Sequence, residues 1–258
     1  LQPHGITPAY AVRIYRAYGA DALEIVRENP YRLAMDIHGI GFVTADAAAR
    51  KLGFEHDHPL RIQAGTLYVL QKATDDGNVY LPQTALMEAV CAQLGVDEGL
   101  VADALAALEA DERIVREDMD MPDPDGAQSE TGVYLRRYFH CESKTAFYLQ
   151  RLMRSPKSIR FEKPDALVDK VVKELDISLA PEQLEAVRTA ARSKVMVLTG
   201  GPGTGKTTII NAIIKLFAEV RARILLAAPT GRAAKRMAET SGRESRTIHR
   251  LLEYSPKE

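Results

Sequence analysis

The first 58 residues alternate short amphipathic stretches with glycine turns. The stretches are GITPAYAVRIYRAYG, ADALEIVRENPYRLA and HGIGFVTADAAARKLG, and each places apolar residues at helical spacing beside a glycine. No strand pattern is needed to explain them. The spacing predicts short helices joined by hairpin turns over residues 1–58.

Residues 59–155 follow a second pattern, in which amphipathic helices are mixed with short strands. A helix from Pro59, a strand at 79–81, two further helices and strands at 113–116 and 132–135 predict a winged-helix-like domain. The segment EDMDMPDPDGAQSE between the last two strands is rich in acid and proline, so we expect a solvated, disordered wing tip. A basic helical stretch follows it.

A third pattern begins at Pro181, after a proline- and lysine-rich stretch that we expect to be a linker over residues 156–180. It consists of a helix over 181–192, the apolar strand VMVL at 195–198, a glycine-rich turn, a helix from Lys206 and a second strand at 224–228. This order predicts the start of a parallel α/β domain over residues 181–258. The fold class is therefore multidomain, with a mostly α N-terminal region followed by a P-loop α/β domain.

The glycine-rich turn carries the phosphate-binding motif GGPGTGKT between the predicted strand and helix. Its glycines let successive backbone N–H groups point at one anion, and the helix N-terminus adds partial positive charge. Lys206 is expected to reach the β- and γ-phosphates of ATP, and the Thr207 hydroxyl to join a Mg²⁺ shell. A glycine turn with only a structural role is disfavoured because motif, strand and helix agree. The predicted nucleotide-binding residues are Gly200, Gly201, Pro202, Gly203, Thr204, Gly205, Lys206, Thr207 and Thr208.

The segments before and after the motif indicate which class of P-loop protein the chain resembles. Upstream, LAPEQLEAV places Gln183 on the first turn of a helix, where its amide can pair with adenine. An exposed helix glutamine without a ligand is the alternative. Downstream, LLAAPTGRAAKRM ends a strand and starts a basic helix. From Arg221 to Arg250 there are eight Lys and Arg against two acids, a local excess of six positive charges that suits nucleic acid phosphates. A solvated charged helix face is the alternative.

Four segments together resemble the RecD-like superfamily 1 DNA helicases with an added N-terminal helix-hairpin-helix region. They are NPYRLAMDIHGIGFVTAD, GGPGTGKTT, APTGRAAKRM and TIHRLL. The resemblance implies that Pro229, Thr230, Gly231 and Arg232 contact single-stranded DNA, and that His249 lies near the DNA or couples it to ATP. A plain surface histidine on a helix is the alternative for His249. It also implies an incomplete RecA-like motor at 181–258, movement from 5′ to 3′, and a role in DNA repair or recombination. The expected partners are single-stranded DNA, duplex junctions and a repair protein bound through the N-terminal region.

The helix-hairpin-helix motif itself is expected around Gly39 and Gly41, where a small turn can present backbone N–H groups to a DNA phosphate. The alternative is a plain structural pair of helices. The preceding hairpin has Thr7 where a second glycine would usually stand, so we expect it only to pack against its partner. The run EHDH at 55–58 is a weak metal candidate because it has no partner ligands.

Composition and charge limit the kinds of binding site and cellular location that the sequence predicts. The net charge is −1, so nucleic acid binding must come from local patches, and two distant cysteines suggest neither a disulfide framework nor a zinc site. No apolar run is long enough to span a bilayer, so we expect a cytoplasmic protein. An acidic pair at the end of a later strand and arginines for the γ-phosphate are not found, so we expect a fragment that binds ATP but is inactive alone.

Two rival functions stay open: an AAA-type DNA-remodelling ATPase and a non-enzymatic DNA-binding module. Gln183 and the APTGRAAKRM helix argue against the first rival.

Overall fold

The computed structural model describes residues 8–121, 128–157 and 159–255. The chain divides into two compact units, one ending at Ala146 and one beginning at Phe147.

Unit 1 begins with the predicted succession of short helices. These are α1 (Pro8–Tyr18), α2 (Ala22–Glu28), α3 (Arg32–Asp36) and α4 (Phe42–Lys51), with a 3-10 turn at Gly19–Asp21. Their apolar faces meet in one core, to which Ile14, Leu33 and Ala45 contribute almost fully buried side chains. The mostly α N-terminal region is confirmed. Thr7 and its hairpin turn lie outside the described residues.

The second half of unit 1 has winged-helix order. Its elements are α5 (Pro59–Asp75), β1 (Tyr80–Pro82), α6 (Gln83–Leu94), α7 (Glu98–Ala110), β2 (Ile114–Met121) and β3 (Gln128–Leu135). The three strands form an antiparallel sheet in the order β1-β3-β2. The helices and this sheet share the core of the N-terminal helices, so the winged-helix-like fold predicted from the element order is confirmed.

The wing differs from its expected form. Both long strands continue into the acid-rich segment, with paired residues from Ile114 opposite Leu135 as far as Met121 opposite Gln128. A backbone ladder does not depend on apolar composition, and side chains add to it here, since Thr131 donates a 2.7 Å hydrogen bond to Asp118. The expectation of a disordered loop was therefore wrong for these strands. Residues 122–127 of the predicted wing tip lie outside the described residues.

A buried polar cluster joins α4 to α5. The Arg61 guanidinium, 3% exposed, lies 2.9 Å from Asp46 Oδ1, which also accepts a 3.0 Å hydrogen bond from the Tyr31 hydroxyl. Arg61 Nη1 donates to the backbone carbonyl of His56 at 2.7 Å. Burial, and then the hydrogen bond to Asp46, raises the pKa of the Tyr31 phenol above its usual value. The cluster thus fixes the helix-hairpin-helix region to the winged-helix half.

Unit 2 begins within the long helix α8 (Arg136–Arg154) and continues with helices and two short strands. These are α9 (Pro164–Glu174), α10 (Pro181–Arg192), α11 (Lys206–Glu219), β4 (Leu226–Ala228), α12 (Gly231–Ser241), β5 (Ser245–Thr247) and α13 (Ile248–Leu251). Strands β4 and β5 pair in parallel, with Ala228 opposite Thr247. The α/β fold class of this part is confirmed.

The segment expected to be a linker over residues 156–180 contains α9. Val168 and Val171 of this helix are fully buried against Val187 of α10 and Ile209 of α11. Apolar residues at 168, 171, 172 and 175 have the i, i+3, i+4, i+7 spacing of an amphipathic helix, which the basic and proline-containing context obscured. The helix is therefore part of the core of unit 2.

The expected strand at 195–198 is a second correction. Residues 195–198 form no strand in the structure, and Val197 is 86% exposed. An apolar run becomes a strand only when a neighbour supplies backbone partners, and in the described part of unit 2 the sheet consists of β4 and β5. The run still leads directly into the glycine-rich loop.

Candidate nucleotide and DNA site

The phosphate motif forms a loop that ends where α11 begins. Gly203 and Gly205 have positive φ values of 77° and 80°, and Gly205 is the N-cap of α11. A Cβ on Gly205 would lie 2.5 Å from Gln183 Nε2, so a side chain here meets both backbone strain and a steric clash. No acidic side chain lies in the first turn of α11. The loop and helix start therefore present N–H groups and positive potential to an anion.

Lys206 lies across this loop. Its ammonium group donates hydrogen bonds to the backbone carbonyls of Gly200 and Gly201 and lies 3.5 Å from the Thr204 hydroxyl. The Thr204 hydroxyl in turn donates to the Gly201 carbonyl at 2.9 Å. The positive charge is thus held at the inner side of the loop, where it fits a triphosphate.

The remaining motif residues lie at the mouth of the loop. Pro202 and Thr207 are exposed, and Thr208 is half-buried on the first turn of α11. Thr207 follows Lys206 at the start of α11 and is exposed, and its hydroxyl is a suitable ligand for an oxygen-liganded cation such as Mg²⁺. The donor set therefore fits ATP with a divalent ion.

Gln183 contacts the phosphate loop directly. Its Nε2 donates a 3.1 Å hydrogen bond to the Thr204 carbonyl, and its Oε1 accepts a 2.9 Å hydrogen bond from the Ala180 backbone N–H. Sequence reasoning assigned this amide to adenine and did not foresee that both of its ends bond the protein backbone. A primary amide keeps a second N–H and a second lone pair, so adenine contact stays a prediction.

The second predicted cluster, Pro229 to Arg232, lies at the carboxyl end of β4 and is exposed. Thr230 is the N-cap of α12, and its hydroxyl accepts a 3.2 Å hydrogen bond from Ala233 N–H. Gly231 begins the helix, and Arg232 follows it on the first turn. This arrangement combines a helix N-terminus with a guanidinium group, as an anion site requires.

His249 is brought to the same edge of the sheet. Because Ala228 pairs with Thr247 in parallel, the segments after β4 and β5 leave the sheet side by side. Thr247 caps α13 by accepting a 3.2 Å hydrogen bond from Arg250 N–H. Exposed His249 lies on α13, and its ring centroid is 5.6 Å from that of Tyr254, which is 63% exposed. Two threonine-capped helix starts and an aromatic pair thus share one edge.

The helix-hairpin-helix turn lies in unit 1. Gly39 has a φ of 88°, and Gly41 is the extended N-cap of α4 with open space around it. Arg13 Nη1 donates a 3.1 Å hydrogen bond to the His38 carbonyl and would lie 2.6 Å from a Cβ on Gly39. The turn is thus accompanied by an exposed cation that sequence reasoning missed, because Arg13 is separated from His38 by 25 positions.

Two further side chains in unit 2 were also missed. Asn211, on α11, donates a 3.1 Å hydrogen bond to the Thr240 carbonyl at the end of α12, and so links the two functional helices. Tyr254 follows TIHRLL and carried no motif. Its proximity to His249 depends on the turn after α13, where Tyr254 N–H donates 2.9 Å to the His249 carbonyl.

The described residues contain no metal cluster and no membrane helix. No group of three or more His, Cys, Asp or Glu side chains among them is arranged to hold a metal. The EHDH run instead has a local role, since His58 Nδ1 accepts a 3.2 Å hydrogen bond from Leu60 N–H at the start of α5. Within the described ranges, no helix combines the length and apolarity that crossing a bilayer requires.

Two family models match the sequence. A model described as the ATP-dependent RecD2 DNA helicase HHH domain covers residues 1–80, and one described as an AAA domain covers residues 183–258. The ATP-dependent RecD2 DNA helicase of Deinococcus radiodurans is 33% identical over 259 residues, which span 100% of this chain. Over its whole length, the chain is therefore similar to the RecD-like DNA helicases.

Shorter matches agree with this assignment. The RecBCD enzyme subunit RecD of Mycobacterium tuberculosis is 36% identical over 147 residues, 48% of this chain and 24% of that protein. The ATP-dependent DNA helicase dda of phage T4 is 42% identical over 62 residues, 24% of this chain and 14% of that protein. The chain spans 36% of the length of the Deinococcus protein.

Proposed function

We propose that this RecD-like chain supplies the ATP-binding part and DNA contacts of an ATP-dependent DNA helicase. The observation that carries the proposal is the phosphate loop, in which Lys206 crosses the loop and Gln183 hydrogen bonds to the Thr204 carbonyl. A structural glycine turn requires neither an inward ammonium group nor an amide from a preceding helix. Both features suit a loop that binds a triphosphate.

In the proposed site, each residue has a separate task. Lys206 binds the β- and γ-phosphates, Thr207 ligates Mg²⁺, and the glycine N–H groups orient the phosphate chain. Gln183 contacts adenine with its spare hydrogen-bonding capacity while it fixes the loop through Thr204. Bound ATP supplies the phosphoanhydride whose hydrolysis drives movement along DNA.

The proposed DNA contacts in unit 2 lie at the carboxyl edge of the β4-β5 pair. Backbone N–H groups after Thr230 and the Arg232 guanidinium bind phosphates of single-stranded DNA without reading bases. His249 lies close to the strand, and Tyr254 beside it is suited to stack on an unpaired base.

The helix-hairpin-helix turn is proposed as a second DNA contact. Gly39 and Gly41 allow the backbone to approach a phosphate closely, and Arg13 adds charge beside the turn. Binding of this kind is independent of sequence and suits a duplex junction, where a helicase engages DNA.

We also propose that the whole protein moves from 5′ to 3′ along DNA. Its role is in repair or recombination, and a repair protein binds its N-terminal region. Family resemblance supports the direction. The Mycobacterium relative is named as a subunit of the RecBCD enzyme, which supports a partner protein.

The test uses the full-length gene product that carries this chain. We expect ATP turnover that rises with single-stranded DNA, and displacement of an oligonucleotide from substrates with a 5′ tail but not from those with a 3′ tail. Lys206→Ala should abolish both activities, because it removes the cation that neutralises the transferring phosphate. Turnover that survives Lys206→Ala would refute the assigned ATP site. Unwinding only from 3′ tails would refute the proposed direction.

A further inference from the structure

A groove in unit 1 is not part of the proposed ATP site, which lies in unit 2, and the resemblance to RecD-like helicases assigns this groove no function. It has a volume of about 820 Å³, within the range of ligand sites, and lies between α3, α4 and α5 and the starts of β2 and α8. Its walls include Met35, Gly41 and Tyr68, and its rim includes Arg113, Arg136 and Arg137. We call it the arginine groove.

The rim of the arginine groove carries positive charge without full compensation. Arg136 is paired with Glu112, the acid that lines the groove. Among the described residues, neither Arg113 nor Arg137 has a carboxylate within ion-pair distance. Arg113 Nη2 lies 3.0 Å from the Met35 sulfur, and Arg137 donates to the neutral Gln71 side chain. Two guanidinium groups are thus available to an anionic ligand, and their planar N–H pairs suit phosphate.

The wall of the groove is apolar and contains an aromatic side chain. Met35 is 38% exposed, and half-buried Tyr68 is stacked on Phe42 with ring centroids 5.3 Å apart. This stacking fixes the orientation of Tyr68. An apolar and aromatic wall beside unpaired guanidinium groups is the combination that binds single-stranded nucleic acid, whose unstacked bases need cover and whose phosphates need charge.

The arginine groove is continuous with the helix-hairpin-helix turn. Gly41 both lines the groove and caps α4. A DNA strand that contacts the turn through its phosphates therefore has the groove immediately beside it. This step rests on the proposed function, because it takes the turn as a DNA contact. The neighbouring turn also favours DNA over an acidic peptide, because the turn is suited to contact a DNA phosphate and provides no matching contact for a peptide.

We propose that the arginine groove binds single-stranded DNA, with an unpaired base against Met35 and Tyr68 and the adjoining phosphates on Arg113 and Arg137. The groove would then keep a separated strand on unit 1 while the motor acts elsewhere on the DNA.

The test measures binding of a fluorescein-labelled oligothymidine by the 258-residue chain, using fluorescence anisotropy at several salt concentrations. The double variant Arg113→Gln/Arg137→Gln should weaken binding at least about tenfold, since each lost contact is a charge-assisted hydrogen bond. The slope of log K against log salt should fall by about 1.4, or roughly 0.7 for each phosphate contact. Met35→Ser, which introduces no charge beside Arg113, should also weaken binding because it removes the apolar cover of the base.

The matched control is Arg16→Gln/Arg27→Gln, which removes the same charge from exposed sites of unit 1 outside the groove. It should leave affinity and salt slope close to wild type. Equal losses in the groove and control variants would overturn the proposal, because charge alone would then explain binding. A 4-thiothymidine crosslink to the peptide carrying Met35 or Tyr68 supports it, whereas crosslinks confined to unit 2 overturn it.

Two further measurements separate this proposal from the proposed function. If Arg232→Gln weakens oligothymidine binding and the groove variants do not, the groove proposal fails while the DNA contacts of unit 2 stand. A fluorescein-labelled glutamate-rich peptide with a terminal phenylalanine tests the other occupant. If this peptide binds wild type but not Arg113→Gln/Arg137→Gln, and oligothymidine binding is equal in both, the groove is a peptide site and the DNA proposal is wrong.

Discussion

The buried Asp46–Arg61 pair gives the sharpest test of how the helix-hairpin-helix region is attached to the rest of unit 1. In Asp46→Asn the carboxylate is lost while the Arg61 guanidinium, 3% exposed, stays in place 2.9 Å away. Leaving a buried charge without its partner costs about 3–5 kcal/mol. Whole domains are stable by only about 5–15 kcal/mol, so unit 1 should lose a large share of its unfolding free energy.

The matched control is Asp36→Asn, which breaks a pair with Arg32 whose side chains are 45% and 37% exposed. Exposed pairs contribute about 0–1 kcal/mol, so this variant should stay near wild type. Native-state hydrogen exchange of the α5 amides is the suitable assay, because it reports on unit 1 in a chain with two units.

A double variant checks the physical cause. Asp46→Asn/Arg61→Met removes the buried charge as well as its partner, so it should be less destabilised than Asp46→Asn alone. The account is refuted if Asp46→Asn costs no more than Asp36→Asn, or if adding Arg61→Met makes the loss fully additive.

Three further predictions follow from particular contacts. Gly203→Ala and Gly205→Ala both force a positive φ on a side chain, but only the second also displaces Gln183, so it should weaken nucleotide binding more in a fluorescence titration. The hydrogen bond from Arg116 holds the pKa of Glu109 below its usual value. The Arg116–Glu109 pair therefore stabilises the fold fully above about pH 4.5, and this contribution is lost as the pH falls further. In Glu109→Gln, the unfolding free energy measured with urea should fall less steeply over this acidic range. Thr230→Ala removes a helix N-cap and should cost about 1 kcal/mol, seen as faster exchange in α12, whereas an unchanged rate would contradict the capping contact.

Local patterns predicted the helices and the phosphate loop well. Helical spacing is set by neighbours three and four residues apart, so α10 and the start of α11 at Lys206 agree with the sequence. The GGPGTGKT motif works through the backbone of consecutive residues, and its context of loop and helix is therefore also local.

Non-local contacts could not be predicted in the same way. The apolar run at 195–198 has strand character but no paired neighbour, and the acidic wing strand has a neighbour that its composition does not reveal. Gln183 meets the Thr204 carbonyl across 21 positions, and Arg13 meets the His38 carbonyl across 25. Such contacts depend on how elements pack. The helix at 164–174 is different, because its helical spacing is local and only its basic and proline-containing context obscured it.

The central claim is that the loop at 200–207 binds a nucleoside triphosphate through Lys206. Calorimetric titration of the 258-residue chain with Mg²⁺ and a slowly hydrolysed ATP analogue tests it most directly. We predict one site per chain, competition by ADP and a loss of affinity of about 10- to 100-fold in Lys206→Ala, the range expected for charge-assisted hydrogen bonds. Equal affinity in wild type and Lys206→Ala would contradict the claim.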